Sequence, residues 1–130
     1  MKKIVCYILF ASLVVAVKSQ TVDCFKFKNG KFKITDANAG GVTIIERKGD
    51  YQVENNEGLK MTLRFKITWL NDCSYTLKLE SILRNDNKLP FPADMVLKVK
   101  IIETTKNSYF QESSSNMLPA VYKSEAVRIP

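Results

Sequence analysis

The sequence predicts an all-β fold, an antiparallel meander that closes into a small β-barrel, with a two-sheet β-sandwich as the alternative. Three observations carry this reading. From Leu59 to Trp69 every odd position is apolar (Leu59, Met61, Leu63, Phe65, Ile67, Trp69) and every even position polar (Lys60, Thr62, Arg64, Lys66, Thr68). That period of two belongs to a strand with one dry face and one wet face. Turn signals then recur between strand-length segments, at Asn29-Gly30, Lys48-Gly49-Asp50, Asn55-Asn56-Glu57-Gly58 and Asn71-Asp72, while no segment beyond the N-terminal apolar run shows a convincing helical period. Short links favour a barrel over a sandwich, which needs crossing connections, and closure removes the exposed edges of an apolar sheet.

In chain order, Asn29-Gly30 reads as the turn of a first hairpin, because both residues accept positive φ. In that register Phe27 faces Phe32 and Phe25 faces Ile34. Val42 to Arg47 and Tyr51 to Glu54 form a second hairpin, through a three-residue connection with a bulge at Gly49. The Leu59 to Trp69 strand leads through Asn71-Asp72 into Ser74 to Leu83, where Tyr75, Leu77, Leu79, Ser81 and Leu83 share a face. Trp69 and Tyr75 thereby meet near a tight turn. Arg84 to Pro92 reads as a loop, Met95 to Glu103 and Ser108 to Glu112 as strands, Ser113 to Asn116 as a turn, and Ala120 to Ile129 as the last strand. The total is eight to nine strands.

Lys2 and Lys3 precede an uncharged run of 14 residues, Ile4 to Val17, followed by Lys18-Ser19-Gln20. This is the pattern of a secretory signal peptide spanning residues 1–19. The run is short of the roughly 20 residues that cross a bilayer. Cleavage after Ser19 leaves a single domain of residues 20–130 and removes Lys2, Lys3 and Lys18 without removing an acid, so the net charge of the 130-residue chain falls from +7 to +4. Cys6 departs with the signal, leaving Cys24 and Cys73 as an even pair. In an exported protein such a pair reads as a disulfide; without histidine it makes a poor zinc site, and a redox pair sits closer together. The expected location is secreted or periplasmic, with no membrane anchor after cleavage.

The chain has no histidine, which removes the commonest general base, the usual zinc ligand and every Ser-His or Cys-His pair. Asn38-Ala39-Gly40-Gly41 lacks the lysine and the strand-to-helix setting of a phosphate loop. Asn85-Asp86-Asn87 offers too few ligands for calcium. Phe25-Lys26-Phe27-Lys28 alternates its rings and charges onto opposite faces rather than building a stacking platform for nucleic acid. Glu46, Asp50, Glu54, Glu57, Asp72, Glu80, Asp94 and Glu103 are all expected at turns or on wet faces. Arg47, Gln52 and Glu54 flank the Gly49 turn and are candidates for a polar cluster, as is Arg64 with Glu80. A sharper reading of Arg47 is an inward guanidinium that holds a ligand carboxylate.

Cys24, Phe27-Lys28 and Gly30-Lys31-Phe32, then Ile45-Glu46-Arg47 with Gln52 and Glu54, then Ile67, Trp69, Cys73, Tyr75 and Leu77 together resemble a group of small exported proteins of Bacteroidota-type bacteria. Some members of that group carry a transferred DNA topoisomerase label, an activity that a short exported chain without a nucleotide loop does not support. Gly30-Lys31-Phe32 also approximates the Gly-x-Trp opening of lipocalins, so the expected barrel is lipocalin-like and the resemblance implies ligand binding. The function expected is a non-enzymatic exported barrel, without a cofactor or metal, that binds a small apolar or amphipathic ligand. Phe65, Trp69, Tyr75 and Arg47 are the candidate ligand-binding residues. The alternative is a structural or protein-interaction module with a filled core; nucleic acid is not an expected partner.

Overall fold

A computed structural model describes residues 22–38 and 40–130. The predicted signal peptide and its cleavage point lie outside the described residues. Eight antiparallel strands run in sequence order and close on themselves: β1 (Gly30–Asp36), β2 (Gly41–Lys48), β3 (Tyr51–Asn56), β4 (Met61–Asn71), β5 (Ser74–Asn85), β6 (Val96–Thr104), β7 (Ser108–Ser115) and β8 (Val121–Ile129). β1 pairs with β8 from Lys31↔Ile129 to Ile34↔Ala126, which makes the meander a barrel rather than a sandwich.

The first predicted hairpin does not form. Cys24 and its successors turn into a short 3-10 helix, Phe25–Phe27, and β1 starts only at Gly30. Alternation of Phe and Lys over four residues imitates a strand, but the disulfide and the charged partners of this segment favour a turn. Phe27 still reaches Phe32, with ring centroids 6.0 Å apart, whereas Phe25 is 70% exposed and does not face Ile34. The helix lies under the barrel. Arg128 on β8 donates to the carbonyls of Lys26 and Asn29 and lies over the rings of Phe27 and Phe32. Lys28 pairs with Asp72 at 2.8 Å.

Cys24 and Cys73 form a disulfide with a Cα–Cα distance of 5.2 Å. It ties the helix to the β4–β5 turn and closes a loop of 49 residues, which on chain-entropy grounds stabilises the fold by about 4 kcal/mol.

β4 and β5 are the longest strands, and Met61 to Trp69 pairs along nearly the whole of β5. Two register shifts, between Thr62 and Leu63 and between Arg64 and Phe65, break the alternation of β5 beyond Leu79. Leu83, expected on the dry face, is therefore 57% exposed. The Gly49 connection is a two-residue turn, since Lys48 pairs directly with Tyr51, and Gly49 holds φ at +60°. Ser113, Ser114 and Ser115, expected as a turn, continue β7 and pair with Val99, Lys98 and Leu97.

β5 pairs with β6 only from Ser74 to Lys78, so the two strands part company towards the end of the barrel opposite the helix. The loop between them fills this wall. Asn85 braces it by donating to the Leu89 carbonyl and accepting from the Leu89 amide, and Phe91, held between Pro90 and Pro92, lies edge-on to Phe65 at 5.9 Å.

Candidate functional site

Inward positions follow from register. At the helix end the barrel is filled. Phe27, Phe32, Ile45, Ile101, Tyr109 and Ala126 pack with Cys24, and Leu63, Phe65, Ile67, Tyr75, Leu77 and Val99 form a second buried cluster. Between these groups sits Arg47, 1% exposed. Its Nε donates to Gln52 Oε1 at 2.9 Å, Nη1 to the Phe27 carbonyl at 2.7 Å, and Nη2 to the hydroxyls of Tyr75 at 2.7 Å and Tyr109 at 2.9 Å. The guanidinium also lies 4.7 Å from the Tyr75 ring centre and 5.2 Å from that of Phe32. β2, β3, β5, β7 and the helix thus converge on one cation, which closes the floor of the barrel.

The layer above is different. Gln52 passes its amide N–H to Glu54 Oε1 at 2.8 Å, so the predicted cluster of Arg47, Gln52 and Glu54 exists as a relay along β3. Glu54, expected on a wet face, instead points inward. It pairs with Leu63 of the buried cluster across β3 and β4 and is half-buried. Burial pushes its carboxyl above the ordinary carboxylate value, against the opposing pull of Gln52 and Arg47. On β7, Gln111 is 6% exposed and faces the interior two residues above Tyr109. Its Nε2 donates to Ser124 Oγ at 3.1 Å and its Oε1 is buried with no hydrogen-bond partner.

Inward residues towards the end opposite the helix are only partly buried: Ile34, Thr43, Glu54, Met61, Leu79, Leu97, Ser113, Ser115 and Ser124. A cleft of about 170 Å³ opens there between β6, β7 and β8, lined by Met95, Leu97, Ser113, Ser115, Leu118 and Tyr122. The interior is also sorted by strand. Met61, Leu63 and Phe65 on β4, Leu77 and Leu79 on β5, and Leu97 and Val99 on β6 make one apolar wall. Glu54 and Asn56 on β3 flank it on one side, and Gln111, Ser113 and Ser115 on β7 on the other.

Of the sequence-predicted binding residues, Phe65 stands in the apolar wall. Arg47, Tyr75 and Trp69 belong to the floor, where the Trp69 and Tyr75 rings lie 4.7 Å apart. Arg47 is inward, as its sharper reading required, but four of its five donor positions are taken by the protein itself, so it is a poor receptor for a ligand carboxylate. Arg64 meets Glu80 at 3.5 Å on the outer surface. Sequence reasoning missed Glu54 because it assigned carboxylates to turns and wet faces, missed Ser113 because it read Ser113 to Asn116 as a turn, and gave Gln111 and Ser124 no role. The available signal was the phase across the Gly49 turn: once Arg47 is inward, Gln52 opposite it and Glu54 two residues on must be inward too.

Among the described residues there is no group of three or more His, Cys, Asp or Glu placed to hold a metal, and no helix long and apolar enough to cross a membrane. No protein-family model matches the chain, and neither the curated proteins nor the solved structures contain a significant match. What is established is the class: a closed, eight-stranded, disulfide-linked β-barrel.

Proposed function

We propose that this barrel is a non-enzymatic, extracytoplasmic binding protein that takes a small amphipathic ligand into the upper half of its lumen. The observation that supports this best is the contrast between the two halves. The floor around Arg47 is packed and its hydrogen bonds are satisfied, whereas the layer above keeps a buried, unpartnered Gln111 amide oxygen and a carboxylate beside an apolar wall. A filled core built only for stability gains nothing from an unsatisfied buried acceptor, which costs on the order of 1–3 kcal/mol. Ligand sites, in contrast, combine apolar walls with a few convergent polar groups. The disulfide fits an oxidising compartment.

Phe91 and the β5–β6 loop are placed to act as the movable part of the wall, since no ladder bonds join β5 to β6 beyond Lys78. Native mass spectrometry of protein purified from its own source tests the proposal. A small molecule that co-purifies and is released on unfolding is expected. A mass equal to that of the bare chain, together with no displacement-sensitive binding of an apolar fluorescent probe, overturns it.

A further inference from the structure

On β8 the inward side is fixed by Ser124, which accepts from Gln111, by Ala126 in the floor cluster, and by Arg128 over the rings of Phe27 and Phe32. The alternate residues Val121, Lys123, Glu125 and Val127 therefore point outward, and all four are exposed, the valines by 58% and 39%. Read backwards, this row is its own complement: valine meets valine at both ends, and lysine meets glutamate in the middle. We propose that the outer face of β8 is the contact surface for a second copy of this chain, laid antiparallel over it about a two-fold axis at the height of Ser124. The contact is on the outside of the barrel and does not depend on what the lumen holds.

The neighbouring strands obey the same reversal. Across β6, β7 and β8 one row of the ladder reads Lys100, Glu112, Lys123 and the next reads Glu103, Phe110, Glu125. The two-fold lays each row on the other, so Lys123 meets Glu125 of the second copy and Lys100 meets its Glu103, while Glu112 comes over Phe110 rather than over a like charge. These groups are available: among the described residues Lys100, Glu103 and Glu125 form no ion pair, and Lys123 reaches only Glu112, at 3.8 Å. The remaining charge beside the row is Lys33, opposite Val127 on β1. It meets no cation, because in this register β1 ends at the height of Ser124. Access is open as well, since β1 pairs with β8 only from Ala126 to Ile129 and leaves Val121 to Glu125 without a neighbour on that side. On the opposite wall, by contrast, Lys66 stands directly across from Lys78 with Lys98 on the next strand, so like charges keep copies apart there. Single exposed valines are ordinary. A row whose every contact is returned under reversal is what an isologous interface requires, and a foreign partner needs no such symmetry.

Sedimentation velocity on the mature, disulfide-bonded protein tests this. The parent is expected to dimerise with a dissociation constant on the order of 10–100 µM, as a contact below the standard interface size does. Lys123→Glu or Glu125→Lys sets like charges face to face and should weaken the dimer by about tenfold or more. An equimolar mixture of the two variants should regain it, because the acidic row of one then meets the basic row of the other, and the doubly exchanged chain should regain it too. Val121→Ser, which alters no charge, should weaken dimerisation several-fold, and it carries the test if circular dichroism shows that a charge variant does not fold. A parent that stays monomeric at about 0.5 mM overturns the proposal. So does a dimer that neither charge exchange nor Val121→Ser weakens, or one that the mixture of folded variants fails to restore.

Discussion

Arg47 on β2 donates from Nη2 to the phenol of Tyr109 on β7 at 2.9 Å, spanning the inside of the barrel. The same guanidinium holds Gln52, Tyr75 and the Phe27 carbonyl, so its loss would orphan partners on four other elements at once. Arg47→Ala is expected to destabilise the fold by about 3–5 kcal/mol, the range for removing one member of a buried polar network. Arg47→Lys should recover little of this, because an ammonium on a flexible stem cannot reproduce a planar fork reaching four acceptors. Urea denaturation monitored through Trp69, the single tryptophan, measures both. A loss below about 1 kcal/mol for the alanine variant would show that the floor does not depend on this cation.

Glu54 gives the molecule a pH signature. Burial raises its carboxyl above the ordinary carboxylate value, outweighing the hydrogen bond from Gln52 and the field of Arg47. Below that value both folded and unfolded chains hold the proton and the group contributes no slope. Above it the unfolded chain releases the proton first, the folded chain binds more protons, and stability falls as pH rises through the folded value. Glu54→Gln should therefore be more stable than the parent at pH 7, with the difference vanishing below about pH 4.5. Glu57 lies lower than usual through Asn55 and then Arg84 and slopes the other way, but it is common to both proteins and cancels in the difference. Thermal melts of the pair from pH 3.5 to 8 provide the measurement. A parent that is the more stable at pH 7 would mean that Glu54 is held as a favourable ion.

The contrast between Phe65 and Glu54 shows what a single sequence can convey. Unbroken alternation from Leu59 to Trp69 identifies the central strand and the dry side of Phe65, and setting Cys6 aside with the predicted signal leaves Cys24 and Cys73 to pair. Both signals are local or countable. Glu54 is different, because hydropathy assigns a carboxylate to water and only the cross-strand pairing of Arg47 with Gln52 reveals the inward phase. Ser113 escaped because a run of three serines reads as a turn, whereas it continues β7. Phe25 to Lys28 misled in the opposite direction: it has strand alternation, yet the bridge to Cys73, the pull of Asp72 on Lys28 and the cap from Arg128 fold it into a helical turn. Those partners are 44 to 102 residues away in the chain, beyond the reach of any local pattern.

Phe65 and Phe91 face each other at 5.9 Å but belong to different parts of the molecule. Phe65 is buried on the longest ladder, whereas Phe91 is partly exposed on a loop whose backbone is fixed chiefly by Asn85. Phe65→Ala should cost about 3–5 kcal/mol. Phe91→Ala should cost roughly 1–2 kcal/mol, in proportion to its smaller buried area. If Phe91 gates the lumen, its loss should speed both entry and release of an apolar fluorescent probe, a change visible in stopped-flow traces. Unaltered rates with an altered stability would assign Phe91 to packing alone.

Gly30 and Arg128 supply a test of how the helix end is sealed. Gly30 adopts φ +137°, a conformation that L side chains avoid, and a Cβ placed there would stand 2.5 Å from Arg128 Nη1. Gly30→Ala must therefore strain the start of β1 and push Arg128 away from the carbonyls of Lys26 and Asn29 and from its place over Phe27 and Phe32. The expected cost is about 2–4 kcal/mol, the backbone part being of order 1–3 kcal/mol. The two contributions separate in a double-mutant cycle. In an Arg128→Met background the clash and the lost carbonyl contacts no longer count against the alanine, so only the backbone strain should remain and the two substitutions should be less than additive by about 1 kcal/mol. Strict additivity would mean that Arg128 swings aside at no cost, and that the helix is held under the barrel by the disulfide and the Lys28–Asp72 pair without it.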